Sequence, residues 1–252
     1  MTGKNNSVKN IYLFFISILF VYIVLFEFIL PVNKLIPRPS LVTDSFIHIW
    51  SDYSLVYAIS ASLTVIYSMM VLVFALIYLG SSFLLKILVE YKESIVTLRL
   101  FRFVPVFALS VFFAFWFSDR LLGEFIFAFL AIIFLLVKML FKESNSTREE
   151  YLTVARNLDL PMKDIYSKIL WKSSLPAISG SFQKSHSYIW TIILLFEFIS
   201  NYSGIGSIYR QALAYNDFTA LFTITILVTI LIWTGNYLLG LIKNKFIPWT
   251  DL

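Results

Sequence analysis

Four polar side chains recur on one face of an apolar stretch in the C-terminal part of the sequence. Gln183, His186, Trp190 and Glu197 fall within roughly 60° of one another at about 100° per residue of an α-helix. Polar and ionisable groups are costly inside a membrane, and they can exchange hydrogen bonds with a passing polar solute. This spacing predicts that the four residues line a translocation path. Hydrogen bonding between packed helices is the alternative explanation.

A second polar stripe, formed by Thr225, Thr229 and Asn236, lies in the last apolar stretch. Hydroxyl and amide groups commonly bond across packed membrane helices, so path lining and helix packing both stay open for these residues. Two carboxyl groups, those of Glu27 and Glu124, lie near the ends of other apolar stretches. We expect both to be solvated at the outer surface.

Catalytic and metal chemistry find little support in the sequence. The chain has no Cys, so disulfides, thiolate metal sites and a thiol nucleophile are excluded. His48 and His186 are its only histidines, which excludes a His-rich metal site. No G-x-x-x-x-G-K-[ST] motif occurs, so ATP is not bound through a P-loop. An intramembrane protease would need paired Asp, or Ser with His, in a recognisable setting. We predict no enzyme, no catalytic residue, no metal and no cofactor.

The composition identifies the solvent of this chain. Of 252 residues, 59% are hydrophobic and 14% are charged, whereas soluble domains have roughly 45–50% apolar and about 25% charged residues. Too few charges are available to cover a water-soluble globule, so soluble enzymes and nucleic-acid modules are excluded. A bilayer-spanning helix needs about 20 apolar residues. Six stretches are predicted as spans: 11–30, 55–85, 103–117, 121–141, 178–199 and 218–242.

Orientation follows from the basic residues, which remain in short loops on the cytoplasmic side. Fifteen of the 20 Lys and Arg residues lie in one set of loops and at the two termini, four lie in the other set, and Lys184 falls inside the fifth span. Both termini are therefore predicted to be cytoplasmic, and topology explains the net charge of +5 without nucleic acid. The first stretch could be a secretory signal, but its apolar core is too long and no cleavage site follows. We divide the chain into 1–54, the first span with its outer loop, and 55–252, a core of five spans.

The segment 142–176 is the one long polar stretch on the predicted cytoplasmic side. Overlapping capping boxes at 146–150 begin a helix that is expected to end near Leu158. Asp159-Leu160-Pro161 then breaks this helix, and a second short helix is predicted over 162–170, with Pro176 ending the segment. Such a helix pair could lie on the lipid headgroups or dock in a groove of a soluble partner.

Motifs along nearly the whole chain carry a family resemblance. They are I-P-R-P-S at 36–40, R-F-V-P-V-F-A at 102–108, the spacing of Pro176, Trp190 and Glu197, S-G-I-G at 203–206, and the basic-to-Trp ending at 245–249. In this order they resemble the membrane-spanning permease of binding-protein-dependent ABC importers. The closest pattern is that of the nitrate, taurine, alkanesulfonate and pyrimidine-precursor branch.

The resemblance implies that the segment 142–176 is the ATPase-docking loop of the family, whose pattern is E-A-A-x3-G-x9-I-x-L-P. Aligned in this way, 153–155 stands for E-A-A, and Asp159 stands for the glycine, although Asp tolerates a left-handed backbone less well than Gly. Only one Ala and the Ile of the pattern are retained. The residues implied to dock an ATPase are Ala155, Leu158, Asp159, Ile165, Tyr166 and Ile169.

The implied protein is an all-α, six-span permease of the type I ABC importer kind in a prokaryotic cell membrane. Its expected partners are the lipid bilayer, cytoplasmic ABC ATPase subunits, a second identical or related permease, and an external solute-binding protein. ATP hydrolysis is expected on a separate chain, and the solute is expected to be small and polar or anionic. Two alternatives stay open: a permease of another branch, such as amino-acid import, and a non-pumping scaffold or receptor with a divergent docking loop.

Overall fold

The chain is helical throughout the part that the computed structural model describes. The described residues are 13–14, 16–30, 35–91, 105–146, 153–155 and 157–247. No β-strand occurs within these ranges, which confirms the predicted all-α class.

The helices of these ranges are numbered in chain order. They are α1 (Ile16–Ile29), α2 (Pro39–Asp52), α3 (Leu55–Glu90), α4 (Val106–Trp116), α5 (Arg120–Ser146), α6 (Trp171–Lys184), α7 (His186–Ser200), α8 (Ile205–Ala214) and α9 (Phe218–Phe246). The last part of α1, Val24–Ile29, has π-helical hydrogen bonding. Two short pieces lead into α6: the helical turn Met162–Asp164 and the π-helical stretch Ile165–Leu170.

Three of the described helices are long and apolar enough to cross a membrane: Leu55–Leu88 of α3, Arg120–Lys142 of α5, and Phe218–Phe246. The broken pair of α7 and α8 makes a fourth crossing if it counts as one span. Helices α1 and α4, which cover parts of the predicted first and third spans, are shorter apolar helices. The described residues thus support a multi-pass membrane protein with three or four candidate spans. Six spans and cytoplasmic termini stay predictions.

Large apolar side chains are exposed along the long helices. Leu79 and Phe83 of α3 are 81% and 69% exposed, and Trp233 of α9 is 72% exposed. Leaving so much hydrocarbon in water would be costly, at about 25 cal/mol for each Å². Lipid is the solvent that suits these faces.

The chain forms two compact units. The first comprises residues 1–57 with 208–229, and the second comprises 58–207 with 230–252. In the first unit, the Tyr22 ring stacks on Phe222 at 5.8 Å, and its hydroxyl donates to the Pro37 carbonyl at 2.7 Å. Glu27 is half-buried, and its carboxylate accepts hydrogen bonds from the Ser40 backbone N–H and hydroxyl. This contact caps the first turn of α2 with a carboxylate.

The first unit also contains a hydrogen bond that joins two distant parts of the sequence. The Tyr53 hydroxyl donates to Asp217 at 3.0 Å, and the other Asp217 oxygen accepts the Ala220 N–H at 2.9 Å. Asp217 therefore caps α9 and holds the end of α2 at the same time. Burial and the hydrogen bond to Asp217 raise the pKa of Tyr53 above its usual range.

The core of the second unit contains a stack of aromatic rings. Phe127 of α5 lies 5.7 Å from Phe113 of α4 and 5.0 Å from Phe196 of α7, between ring centroids. Ala114 and Ile192 complete this buried cluster. Small and large side chains alternate here, so the three helices can approach closely.

Helix α6 packs on α3 through a second pair of ring contacts, Phe182 with Phe74 at 5.9 Å and Trp171 with Tyr78 at 5.8 Å. The sequence predicts that the helix over 162–170 ends before Pro176, and this prediction is wrong. The helical backbone continues from Met162 to Lys184 with Pro176 inside α6. Proline removes one backbone hydrogen bond, and the buried aromatic face of α6 offsets that loss.

Candidate functional site

A left-handed turn joins the helical residues at 153–157 to the helical stretch that begins at Met162. Asp159 has φ of 51°, and the N–H of Leu160 donates to the Ala155 carbonyl at 3.2 Å. A bond across five residues with a left-handed residue before its donor is the Schellman ending of a helix. Aspartate therefore adopts the backbone conformation in which glycine is usually found. Of the predicted first helix, 146–158, residues 147–152 and 156 lie outside the described residues.

Four apolar side chains around this turn are exposed. Val154 is 56% exposed, Leu158 is 66%, Leu160 is 37% and Met162 is 55%. We name these four residues the turn surface. They belong to the segment that the sequence places outside the membrane, where exposed apolar groups are candidates for contact with another protein.

The six residues predicted to dock an ATPase divide into two groups by burial. Ala155, Ile165 and Tyr166 are buried within the chain, at 1%, 3% and 6% exposure. Leu158 and Asp159 are exposed, and Ile169 is half-buried. The buried three can shape the turn from inside, whereas the exposed ones can reach a partner.

His186 lies at the centre of a polar group in the second unit and is fully buried. Its Nε2 accepts the Trp190 indole N–H at 3.0 Å and lies 3.0 Å from the Tyr67 hydroxyl. Because indole N–H can only donate, we assign Nε2 as an acceptor and place the proton of the neutral ring on Nδ1. That Nδ1 has no hydrogen-bond partner among the described residues.

Helix α9 completes this polar group. The side-chain amide of Gln183 donates to the backbone carbonyl of Asn236 at 3.1 Å, and the Asn236 Oδ1 is buried without a partner in the described part of the chain. A side chain at Gly235 would overlap the Tyr67 hydroxyl and lie 2.7 Å from His186 Cε1, so glycine permits the close approach of α9. Four of the seven residues of the two predicted stripes thus come together. We name Gln183, His186, Trp190, Asn236 and Tyr67 the polar cluster.

Glu197 lies on the same helix as His186 but has different partners. It is fully buried; its Oε1 accepts the Ser62 hydroxyl at 2.6 Å and its Oε2 accepts the Gly206 N–H at 2.8 Å. Ser62 in turn accepts the Ile205 N–H at 2.9 Å. These bonds satisfy the first backbone donors of α8. Glu197 therefore caps α8 from the other side of the bend between α7 and α8. A place for Glu197 in a translocation path stays a prediction.

The glycines that follow Glu197 make this cap possible. Gly204 has φ of 83°, and a side chain there would overlap the Glu197 carboxylate. A side chain at Gly206 would overlap the Leu194 carbonyl oxygen and lie 2.7 Å from the Phe198 nitrogen. The S-G-I-G motif is therefore explained by the close approach of the chain to α7.

The expectation that Glu124 is solvated is wrong. Its side chain is 2% exposed, and its carboxyl group interacts with that of Glu197. One Glu124 oxygen and the Ser203 hydroxyl are buried without a hydrogen-bond partner among the described residues. Residue 124 lies in the first turns of α5, where α7 packs against it, and this long-range contact is not visible in the sequence.

The second predicted stripe is divided between the units. Asn236 belongs to the second unit, and Thr225 and Thr229 belong to the first. The Thr225 hydroxyl accepts a hydrogen bond from the Tyr209 hydroxyl at 3.0 Å and donates to the Leu221 carbonyl. The Thr229 hydroxyl donates to the backbone carbonyl of Thr225 at 2.8 Å. Both threonines are exposed, and their hydroxyls are satisfied within their own helix or by α8.

Sequence reasoning overlooked three residues of these sites: Tyr67, Ser62 and Glu124. The residues of α3 that reach α7 are Ser62 and Tyr67. A buried serine has no distinguishing pattern in sequence. Glu124, however, could have been recognised from the cost of placing a carboxyl group in an apolar helix.

Comparison with known proteins identifies the family. A family model described as binding-protein-dependent transport system inner membrane component matches residues 96–251, which is more than half of the chain. A search of curated proteins finds no match. Members of this family are membrane permeases of ABC importers and work with ATPase and binding-protein partners. The chain belongs to the family of binding-protein-dependent transport system inner membrane components and is a multi-pass membrane permease, not a catalytic enzyme.

Proposed function

We propose that this chain forms the translocation path of an ATP-driven importer of the nitrate, taurine, alkanesulfonate and pyrimidine-precursor branch. It would carry a small polar or anionic solute inward across a prokaryotic cell membrane. An external binding protein would deliver the solute, and a second permease, identical or related, would complete the path. The observation that carries the proposal is the turn surface, an exposed apolar patch on the segment that resembles an ATPase-docking loop.

The turn surface has the properties that docking requires. Its four apolar side chains surround a tight turn whose backbone is fixed by the bond from Leu160 to Ala155. The helical stretch that follows continues into α6 without a break, so a push on the turn moves α6 as well. Closure of an ATPase dimer could then rock the membrane helices between two arrangements, as a rigid-body switch.

The polar cluster is the part of the second unit best suited to line the path. His186 Nδ1 offers a donor, and Asn236 Oδ1 offers an acceptor; each is buried without a partner among the described residues. Buried groups of this kind cost about 1–3 kcal/mol each when they are left unpaired. A solute or water that enters during the transport cycle would recover that free energy. Thr225, Thr229 and Glu197 stay as further candidates for the lining.

Docking is tested by co-purification of the chain with co-expressed cytoplasmic ABC ATPase subunits. Charging Leu158 or Met162 (Leu158→Glu, Met162→Glu) is expected to abolish retention of the ATPase, because a desolvated carboxylate would enter the apolar contact. Leu158→Met is the matched control and should retain it. Ile165 is unsuitable for this test, because it is buried within the chain and a charge there would disturb folding.

The outcome distinguishes an ATP-driven permease from a non-pumping scaffold or receptor. Stoichiometric ATPase on both charged variants would remove the docking assignment. Failure of the unaltered chain to retain any ATPase would favour the non-pumping scaffold or receptor. Melting temperatures equal to that of the unaltered chain are required for both variants, so that loss of binding is not confused with misfolding.

Topology and path lining can be tested by cysteine labelling, because the chain has no Cys and needs no background substitutions. Single cysteines at Lys34 and Lys92 should react with a membrane-impermeant thiol reagent from opposite sides of the membrane. A cysteine at Asn236 should change its reactivity when the ATPase is trapped with ATP, whereas a cysteine at lipid-facing Leu79 should not. Labelling of both loops from the same side would refute the six-span topology.

A further inference from the structure

The second unit contains a pair of buried carboxyl groups, one of which, Glu197, is also a candidate for the path lining. Glu124 of α5 is 2% exposed and Glu197 of α7 is 0% exposed, and the two carboxyl groups interact. Neither forms an ion pair within the described residues. We propose that Glu124 and Glu197 form a proton-binding site, in which one proton is held on Glu124 and hydrogen-bonds to Glu197.

The repulsion between carboxylates is the first argument. Two carboxylates in contact and out of water repel each other strongly, so such pairs hold one proton between them. Paired acids of this kind titrate together as a single unit. The protonated partner donates its O–H to the other, and an unfavourable contact becomes a short hydrogen bond.

The partners of Glu197 indicate which residue carries the proton. Both of its oxygens already accept hydrogen bonds, one from Ser62 at 2.6 Å and one from the Gly206 N–H at 2.8 Å. Gly206 lies in the first turn of α8, where the helix dipole favours a negative charge. The carboxylate therefore belongs on Glu197, which leaves the proton for Glu124.

The unpartnered atoms provide an independent observation. Glu124 Oε1 and the Ser203 hydroxyl are both buried and form no hydrogen bond of good geometry among the described residues, although the two groups are close enough to interact. An ionised Glu124 would have only the Ser203 hydroxyl as a donor to Oε1, in a contact without good hydrogen-bond geometry, and this is more costly than a neutral acid with an unpaired carbonyl oxygen. The geometry thus suits a neutral Glu124.

The surrounding groups disfavour a metal ion at this site. The charged side chains that lie nearest on α5 and before it are Arg120, which donates to the Ser200 carbonyl at 3.2 Å, and Asp119, which caps the start of α5. Helix α4, the turn of α3 around Ser62, the rest of α7 and residues 205–207 contribute no charged side chain. No group of three or more His, Cys, Asp or Glu residues in the described ranges could hold a metal, and a divalent cation would find only two carboxyl ligands here.

The proton would control the break between α7 and α8. Loss of the proton would place two negative charges beside the backbone N–H groups that Glu197 caps. Their repulsion would push Glu197 away from Ser62 and Gly206, and the first turn of α8 would lose its cap. The proposal predicts that alkaline pH destabilises the second unit, and the effect does not depend on solute or ATPase.

Infrared spectroscopy of the purified full chain tests the proposal directly. At neutral pH, a carboxylic-acid C=O band is expected in the unaltered chain. Glu124→Gln should remove this band, because glutamine imitates the neutral acid without its O–H. Glu27→Gln is the matched control and should leave the band unchanged. Absence of the band from the unaltered chain, or its persistence in Glu124→Gln, would overturn the proposal.

A stability measurement distinguishes a proton from a metal and does not require transport. The melting temperature of the unaltered chain should fall as pH rises from neutral, and this fall should be smaller in Glu124→Gln. Exchange of Na⁺ for K⁺ or choline should have no effect, and a melting temperature raised by one metal ion alone would refute the assignment of a proton. Because neither readout involves an ATPase or a solute, failure here is separate from failure of the proposed importer function.

Discussion

Replacement of Gly206 by alanine tests how the break between α7 and α8 is packed. The added methyl would overlap the Leu194 carbonyl oxygen and lie 2.6 Å from Glu197 Cβ and 2.7 Å from the Phe198 nitrogen. These atoms belong to the α7 backbone or adjoin it directly, so none can move aside by a simple rotamer change. Overpacking of this kind costs about 1–3 kcal/mol, and three simultaneous contacts place the cost at the upper end.

The expected shift in melting temperature follows from this cost. Alanine recovers up to about 1 kcal/mol through its higher helix propensity, which leaves a net loss of about 2 kcal/mol. For a chain of this size, each kcal/mol corresponds to roughly 2–4 °C, so the melting temperature should fall by about 4–8 °C. Tryptophan fluorescence of the full chain in one detergent, followed on heating, measures this shift.

Gly80→Ala is the matched control for this prediction. Gly80 lies within α3, and a side chain there would meet only Leu84 Cδ1 at 3.9 Å, which is an ordinary contact. Its melting temperature should stay equal to that of the unaltered chain or rise slightly. If Gly206→Ala melts together with Gly80→Ala, residue 206 does not approach α7 closely, and the account of the cap by Glu197 fails with it.

Three further substitutions test other parts of the structure. Ser62→Ala should lower stability by about 2 kcal/mol, because it leaves buried groups unpaired, whereas Ser68→Ala on the exposed face should have little effect on the melting temperature. Asp159→Gly should raise the melting temperature, since a left-handed residue costs about 1–2 kcal/mol more for other amino acids than for glycine, and an unchanged or lower value would contradict the turn geometry. Burial, and then the hydrogen bond to Asp217, raise the pKa of Tyr53 above 10.0. The stabilising contribution of this group is therefore fully present below pH 10 and is lost as pH rises through the raised pKa of the folded state. Tyr53→Phe should remove one late-ionising phenol from an alkaline absorbance titration.

The sequence predicts the periodic features of this protein well. Hydropathy located the three long apolar helices, and helical spacing placed His186 and Trp190 on one face, where they form a hydrogen bond. Motif order identified the family. These predictions succeed because each depends on residues that are close in sequence or on a property of a whole segment.

Contacts between distant segments could not be derived in the same way. The position of Glu124 near a helix end suggested solvation, because the sequence does not show that α7 covers it. Pro176 suggested the end of a helix, because the buried aromatic contacts that offset its lost hydrogen bond come from α3. In both cases tertiary packing outweighed a local preference.

The positions of the glycines connect the candidate path with the carboxyl pair. Gly235 lets α9 approach His186 closely, and Gly206 lets the start of α8 approach Glu197 on the same helix, α7. One helix therefore carries two polar groups at its two ends, one with unpaired atoms and one with a fully bonded carboxylate. A hydrogen bond gained by His186 would displace one end of α7, while the bonds of Glu197 hold the other end. The path lining and the carboxyl pair are therefore expected to be coupled through α7.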